Sequence, residues 1–167
     1  LSTIRIPCNY YEYVEAPATH YFDNFINDLT NGDEEVKQLL LQIMGVTISN
    51  IRGSRMKQAL FMVGPGNSGK SKLKIFLTSL IGAENCSSID LKMLQKQFSK
   101  IQLLNKRLVG TNDMSWMNLP EIDTFKQATG GDLINAEYKG ENGIDFTFNG
   151  VLWFCGNKLP RFGGDKG

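Results

Sequence analysis

Ala59-Leu60-Phe61-Met62-Val63-Gly64-Pro65-Gly66-Asn67-Ser68-Gly69-Lys70-Ser71 is the stretch on which the reading of this chain turns. A short apolar run is followed by the full G-x-x-x-x-G-K-[ST] pattern. After it comes a segment of helical period over 69–81, with Leu73, Phe76, Leu77 and Leu80 on one face and Gly82 at its end. Strand, loop and helix in that order are the context a phosphate-binding loop requires. Glycines let the main chain turn tightly enough to aim several N–H groups at one anion. The helix that follows presents its positive end to the same place. Lys70 reaches the β- and γ-phosphates, and the Ser71 hydroxyl can hold Mg²⁺. Gly64, Pro65, Gly66, Asn67, Ser68, Gly69, Lys70 and Ser71, with Lys72 beside them, are therefore the expected nucleotide contacts.

Such a loop needs an acidic metal partner and a group that senses the terminal phosphate. Leu108-Val109 reads as a second buried strand running toward Asp113, and an acid at a strand end can help hold the metal. A strand-end Asp can equally cap a helix or close a turn. Val151-Leu152-Trp153-Phe154-Cys155 reads as a third buried strand, ending at Gly156-Asn157. Asn157 could orient water or touch the γ-phosphate, or simply turn the chain. Strands alternating with helices predict an α/β fold with a parallel sheet.

The remaining elements follow from period and punctuation. Phe22, Phe25, Ile26 and Leu29 predict a helix after Pro17, ended by Asn31-Gly32. Asp33 is the expected N-cap of a second helix carrying Val36, Leu39, Leu40 and Ile43. Residues 1–16, with Pro7, Tyr10, Tyr11 and Tyr13, read as an extended lead-in. Leu91, Leu94, Phe98 and Ile101 predict a further helix, and Pro120 opens a short one to about Ala128. Residues 133–148 predict a hairpin, turned at Asn142-Gly143, with Ile144, Phe146 and Phe148 alternating.

Composition narrows the function classes. The chain has 167 residues, 41% hydrophobic and 21% charged, with a net charge of +1. Wholesale disorder is excluded, and an overall electrostatic grip on nucleic acid or membrane is not indicated. Local patches must supply any such contact. Between Asp90 and Asp113 there is no acid, while Lys92, Lys96, Lys100, Lys106 and Arg107 are present. At i, i+4 and i+8, the first three form one stripe on a helix, either a solvated face or a phosphate-tracking patch. Cys8, Cys86 and Cys155 are far apart and odd in number, which argues against a disulfide framework and fits a reducing cytoplasm. His20 is the only histidine, which argues against structural zinc. No apolar stretch is long enough to span a membrane. The first residue is not Met and the last six lie in a Gly-rich stretch, so an excised piece of a longer protein is expected.

Two phosphate-loop classes can be tested on the residues. Asn157-Lys158 resembles the guanine-reading motif of small GTPases, but the Asp that motif requires is replaced by Pro160, and no Asp-x-x-Gly follows the loop. The other comparison holds along most of the chain. Ile6-Pro7-Cys8-Asn9-Tyr10, the loop at 64–71, the strand at 107–113, Phe125-Lys126-Gln127-Ala128-Thr129-Gly130-Gly131-Asp132 with Lys139, and Gly156-Asn157-Lys158-Leu159-Pro160 occur in order. In these the chain resembles the superfamily 3 helicases, specifically the helicase part of phage and plasmid primase–helicases, related to the poxvirus primase–helicase.

The resemblance implies an AAA+-like core at 57–167 after a helical subdomain at 1–56. It implies ATP and Mg²⁺ as ligands and an ATP-driven DNA helicase of a phage, plasmid or mobile element. Gly69, Lys70 and Ser71 would bind the triphosphate, Asp113 would take the Walker B role, and Asn157 would be the sensor. Lys139, with Tyr138 beside it near the hairpin tip, would grip single-stranded DNA at a fork or origin inside a homo-hexameric ring. Asn112 departs from the paired acids of many such ATPases, and Glu121 is a distant substitute. An arginine finger is expected beyond Arg161, so residues 1–167 alone are expected to hydrolyse ATP poorly. The rival readings are an initiator or loader ATPase that remodels origin DNA without processive unwinding, and a small-metabolite kinase, which the scarcity of arginines after the loop disfavours.

Overall fold

The computed structural model describes residues 5–7 and 21–163. The lead-in at 8–16, Cys8 and His20 lie outside the described residues, as do residues 164–167. In chain order the elements are α1 (Tyr21–Thr30), α2 (Glu34–Ile48), β1 (Leu60–Val63), α3 (Lys70–Ile81), β2 (Cys86–Ser87), α4 (Leu91–Leu94), β3 (Leu108–Val109), β4 (Asn118–Leu119), α5 (Asp123–Gly130), β5 (Leu133–Ala136), β6 (Ile144–Thr147), β7 (Val151–Gly156) and β8 (Arg161–Phe162).

The first two helices form where their sequence signals stand. Asn31 (φ 53°) and Gly32 (φ 73°) turn left-handed to close α1, and the Gly32 N–H donates to Asn27 O at 2.9 Å. The Asp33 carboxylate accepts from the N–H groups of Glu35 and Val36 at 3.0 and 3.1 Å, capping α2.

β1, β7, β3 and β2 pair in that order into a parallel sheet, so the fold is α/β as the alternation of elements predicts. β7 is buried at all six positions. A central parallel strand is covered on both faces and so reads as an unbroken apolar run. Its side chains alternate between two cores. Val151, Trp153 and Cys155 join Ile26, Leu40 and Ile43 of α1 and α2 and Leu73, Leu77 and Ile81 of α3. Leu152 and Phe154 face the other way, with Leu91, Leu94, Leu103, Ile134 and Phe148. Between β3 and the Asn112-Asp113 segment, Gly110 adopts φ 142°, and a Cβ there would stand 2.0 Å from Trp153 O. Only glycine lets the chain leaving β3 approach β7 so closely.

Several expectations are corrected. The helix over 91–101 is one turn of α4, then Lys96 in extended conformation (ψ 140°), then a 3₁₀ segment, Gln97–Leu103. The buried positions become Leu91, Leu94, Ser99 and Leu103, while Phe98 is exposed. One extended residue shifts the inward register, so Lys92, Lys96 and Lys100 do not share a helical face. On α3 the inward stripe is Lys70, Leu73, Lys74, Leu77 and Ile81. Phe76 is half exposed and meets Phe22 with ring centroids 5.1 Å apart. α5 starts at Asp123 rather than Pro120, because Leu119 before the proline is extended and paired with Phe162. The β5–β6 hairpin turns at Tyr138–Glu141, where Glu141 N–H donates to Tyr138 O at 3.1 Å and Gly140 (φ 85°) takes the left-handed corner. Neither Asn142 nor Gly143 has the positive φ a two-residue turn there would need.

Candidate functional site

The loop between β1 and α3 is built to surround an anion. Asn67 (φ 61°) and Gly69 (φ 89°) are left-handed, and a Cβ on Gly69 would meet the Phe25 ring at 3.2 Å. The sharp entry into α3 therefore depends on glycine backed by α1. Among the described residues, the N–H groups of Gly66, Asn67 and Gly69 meet no acceptor. The first N–H groups of any helix are likewise unspent within it. The Lys70 ammonium donates to Gly64 O at 3.0 Å, Pro65 O at 2.7 Å and Ser68 Oγ at 2.8 Å, so it is held over the loop it follows. A cation and a set of free main-chain donors around one turn fit a polyphosphate. Lys72 is exposed, and no hydrogen bond ties it to the loop.

The tips of β3 and β7 meet this loop. The Ser71 hydroxyl donates to Asn112 O at 2.7 Å. Gly156 O accepts from Gly64 N–H at 3.3 Å, and Gly156 is bridged on its other side to Met114. Lys70 and Ser71, Asn112-Asp113 and Gly156-Asn157 thus stand at one edge of the sheet. Asp113 and Asn157 are exposed there. Asp113 lines a cavity of about 290 Å³ with Asp90, Thr111 and Ser115, which no residue of 64–71 lines. The residue in direct contact with Ser71 is Asn112. A second cavity of about 370 Å³ has Gly64, Pro65, Ser68 and Lys70 on one side, and Leu29, Val36, Leu39 and Met62 on the other. Tyr138 and Lys139 are exposed at the hairpin turn, apart from this edge in sequence and sheet.

Two residues that the sequence reading did not single out as sites hold unusual positions. Arg107, counted there in the acid-free basic stretch before Asp113, is buried and donates to five carbonyls. Lys74 is buried at 4% exposure. Its signal was present: it falls on the inward stripe of α3, one helical turn after Lys70. Burial lowers the Lys74 pKa to about 8, against the opposing pull of Cys155 and Cys86. Its folded pKa is below the ordinary 10.5, so the unfolded chain binds more protons between these values, and this group's contribution to stability rises with pH across that window. Lys74→Met should be the more stable protein at about pH 7, and its advantage should shrink by about 2 kcal/mol by about pH 9.5. Burial raises the Cys155 and Cys86 pKa values, an opposite dependence present in both proteins. Urea unfolding of the pair at both pH values checks this. An advantage that does not change with pH contradicts it.

The fold is shared with solved structures. The chain superposes on the apo C-terminal region of NrS-1 with a TM-score of 0.65 at 19% identity, over 84% of this chain and 35% of that one. A structure of the same region, residues 305–718, gives 0.66 at 17% identity over 81% and 33%. JCV helicase, solved with an N-substituted acetamide bound, gives 0.51 at 16% identity over 81% and 39%. The chain therefore spans about a third to two-fifths of the length of these structures. No curated protein sequence matches it. Among the described residues no helix is long and apolar enough to cross a membrane. The sequence from residue 62 to 167 matches one family model, and the chain belongs to that family, DUF5906, a family of unknown function.

Proposed function

We propose that this chain is the ATPase core of a superfamily 3 DNA helicase that acts in replication of a phage, plasmid or other mobile element. The observation that carries the reading is the junction of the phosphate loop with two strand tips, through Ser71 Oγ–Asn112 O at 2.7 Å and Gly64 N–Gly156 O at 3.3 Å. ATP is the substrate. Its phosphates take the free N–H groups of the loop and the Lys70 ammonium, and the apolar cavity beside the loop suits the base. Ser71 and Asp113 would hold Mg²⁺, which would supply neutralisation of the phosphate charge when bound. Asp113 helps activate water, and Asn157, on the tip of β7 between the other two, reports the terminal phosphate.

The DNA contact is the exposed hairpin tip. Lys139 supplies charge for the backbone and Tyr138, half exposed, a ring for a base. In a ring of six copies, weak tips act together on one strand, which a nearly neutral subunit requires. Lys139→Ala should weaken single-stranded DNA binding by about tenfold and flatten its salt dependence, with DNA-free ATP hydrolysis unchanged. Fluorescence anisotropy at several salt concentrations measures the first effect, and a phosphate-release assay the second. Strand displacement by the full-length protein tests the reading itself. DNA-stimulated hydrolysis without displacement would favour an initiator or loader ATPase.

A further inference from the structure

A cavity of about 240 Å³, which no residue of 64–71 lines, is bordered by Lys74, Thr78, Cys86, Ser88, Gly110 and Asn112 among others. Among the described residues, no acidic side chain lines it. Lys74 is more than nine-tenths buried, and its ammonium has no hydrogen-bond or ion-pair partner among the described residues. The Ser88 hydroxyl and the Asn112 side-chain amide, both on solvent-exposed residues, also have no hydrogen-bond partner among the described residues. Three unspent donors from three elements, α3, the end of β2 and the end of β3, therefore border one small space. A buried charge left uncompensated is costly, and one that opens into a cavity attracts a counter-ion.

We propose that this cavity is a second anion site, distinct from the loop at 64–71, which binds a phosphate-sized oxyanion through Lys74, Ser88 and Asn112. The volume takes an inorganic phosphate with some of its water, and the absence of a carboxylate from the lining removes the main repulsion such an ion would meet. Donors from three directions suit a tetrahedral ion. The Thr78 hydroxyl is already spent on Lys74 O at 2.9 Å, so it adds only an acceptor. Asn112 belongs to both places, since its carbonyl accepts from Ser71 and the residue lines this cavity, so an ion here bears on the segment that the phosphate loop leans against.

The test is a titration of the chain with inorganic phosphate, read by melting temperature and by acylation of Lys74 followed by mass spectrometry. Phosphate at ten times its Kd should raise the melting temperature of wild type and of Lys70→Ala alike by about 3 °C. It should slow Lys74 acylation in both by about tenfold. Lys74→Met should show no rise. A rise that survives Lys74→Met but vanishes in Lys70→Ala puts the ion in the loop at 64–71 and overturns the proposal. So does an equal rise with potassium chloride at matched ionic strength. Should Lys74→Met fail to fold, acylation of wild type decides alone: a rate indifferent to phosphate overturns the site. Because Lys70→Ala disables only the loop, failure here and failure of the helicase reading give different results.

Discussion

Lys70→Ala should lower the affinity for Mg²⁺-ATP by about a hundredfold to a thousandfold and leave hydrolysis undetectable. Among the described residues, the ammonium is the one cation that hydrogen bonds tie to the 64–71 loop, through three oxygens at 2.7 to 3.0 Å. A polyphosphate entering the turn competes for those same N–H donors with a stronger acceptor, and hydrogen bonds between charged groups contribute about 1.5–3 kcal/mol each. Losing two of them accounts for the expected change. Truncation also leaves the Gly64 and Pro65 carbonyls and the Ser68 hydroxyl facing the turn without their cation, an acceptor-rich lining that repels phosphate. Titration with a fluorescent ATP analogue measures the effect. Gly64–Ser68 is mostly solvent-exposed, so an unchanged circular dichroism spectrum should accompany it. Affinity within threefold of wild type would remove the phosphate loop from the account.

The largest effect on stability is expected at Arg107. Its guanidinium, 6% exposed, donates to the carbonyls of Val46 at 2.6 Å, Thr47 at 3.2 Å, Ser49 at 2.8 Å, Ile51 at 3.0 Å and Asn149 at 2.6 Å. Three of these lie at the C-terminal end of α2, where the helix leaves carbonyls unpaired and its dipole is negative. The other two belong to the chain entering β1 and to the turn before β7, so one side chain ties α2 to the edge of the sheet. Burial lowers its pKa from the ordinary arginine value, yet among the described residues no carboxylate balances the charge, and oriented carbonyls do that work instead. Arg107→Ala should cost about 4 kcal/mol or more, with a fall in melting temperature of about 10 °C. Arg107→Lys should recover only part of this, since three point-like donors cannot match a planar fork. Lys92→Ala, on the exposed face of α4, should stay within about 0.5 kcal/mol of wild type. Thermal unfolding of the three proteins checks the order, and equal losses for Arg107→Ala and Lys92→Ala would contradict it.

Arg107 also shows where the sequence was mute. A run of cations without acids reads as surface, because charge alone does not reveal whether the partners are water or carbonyls. The neighbouring Leu108-Val109, buried in the sheet, was legible as a strand because a fully covered parallel strand tolerates only apolar residues. The phosphate loop was legible for a related reason: tight turning, main-chain donors and a cation at the helix start each demand a residue type at a fixed spacing. β2, β4 and β8 have two residues each, too few to carry a period. The helix over 91–101 was misread because Leu91, Leu94, Phe98 and Ile101 satisfy the α period, while a single extended residue at Lys96 cancels it. Lys74 was legible in principle. A cation three residues past Ser71 on the stripe of Leu73, Leu77 and Ile81 has nowhere to go but inward. At the strand tips, sequence gave the order of Asp113 and Asn157, and the sheet order β1-β7-β3 supplied their nearness to the loop.

The most direct measurement is steady-state ATP hydrolysis by the full-length protein, with and without single-stranded DNA, for wild type and Lys70→Ala. Hydrolysis that needs Mg²⁺, rises several-fold with DNA and vanishes in Lys70→Ala is the result predicted here. Hydrolysis that ignores DNA, or that persists without the Lys70 ammonium, would contradict a DNA-coupled ATPase built on this loop.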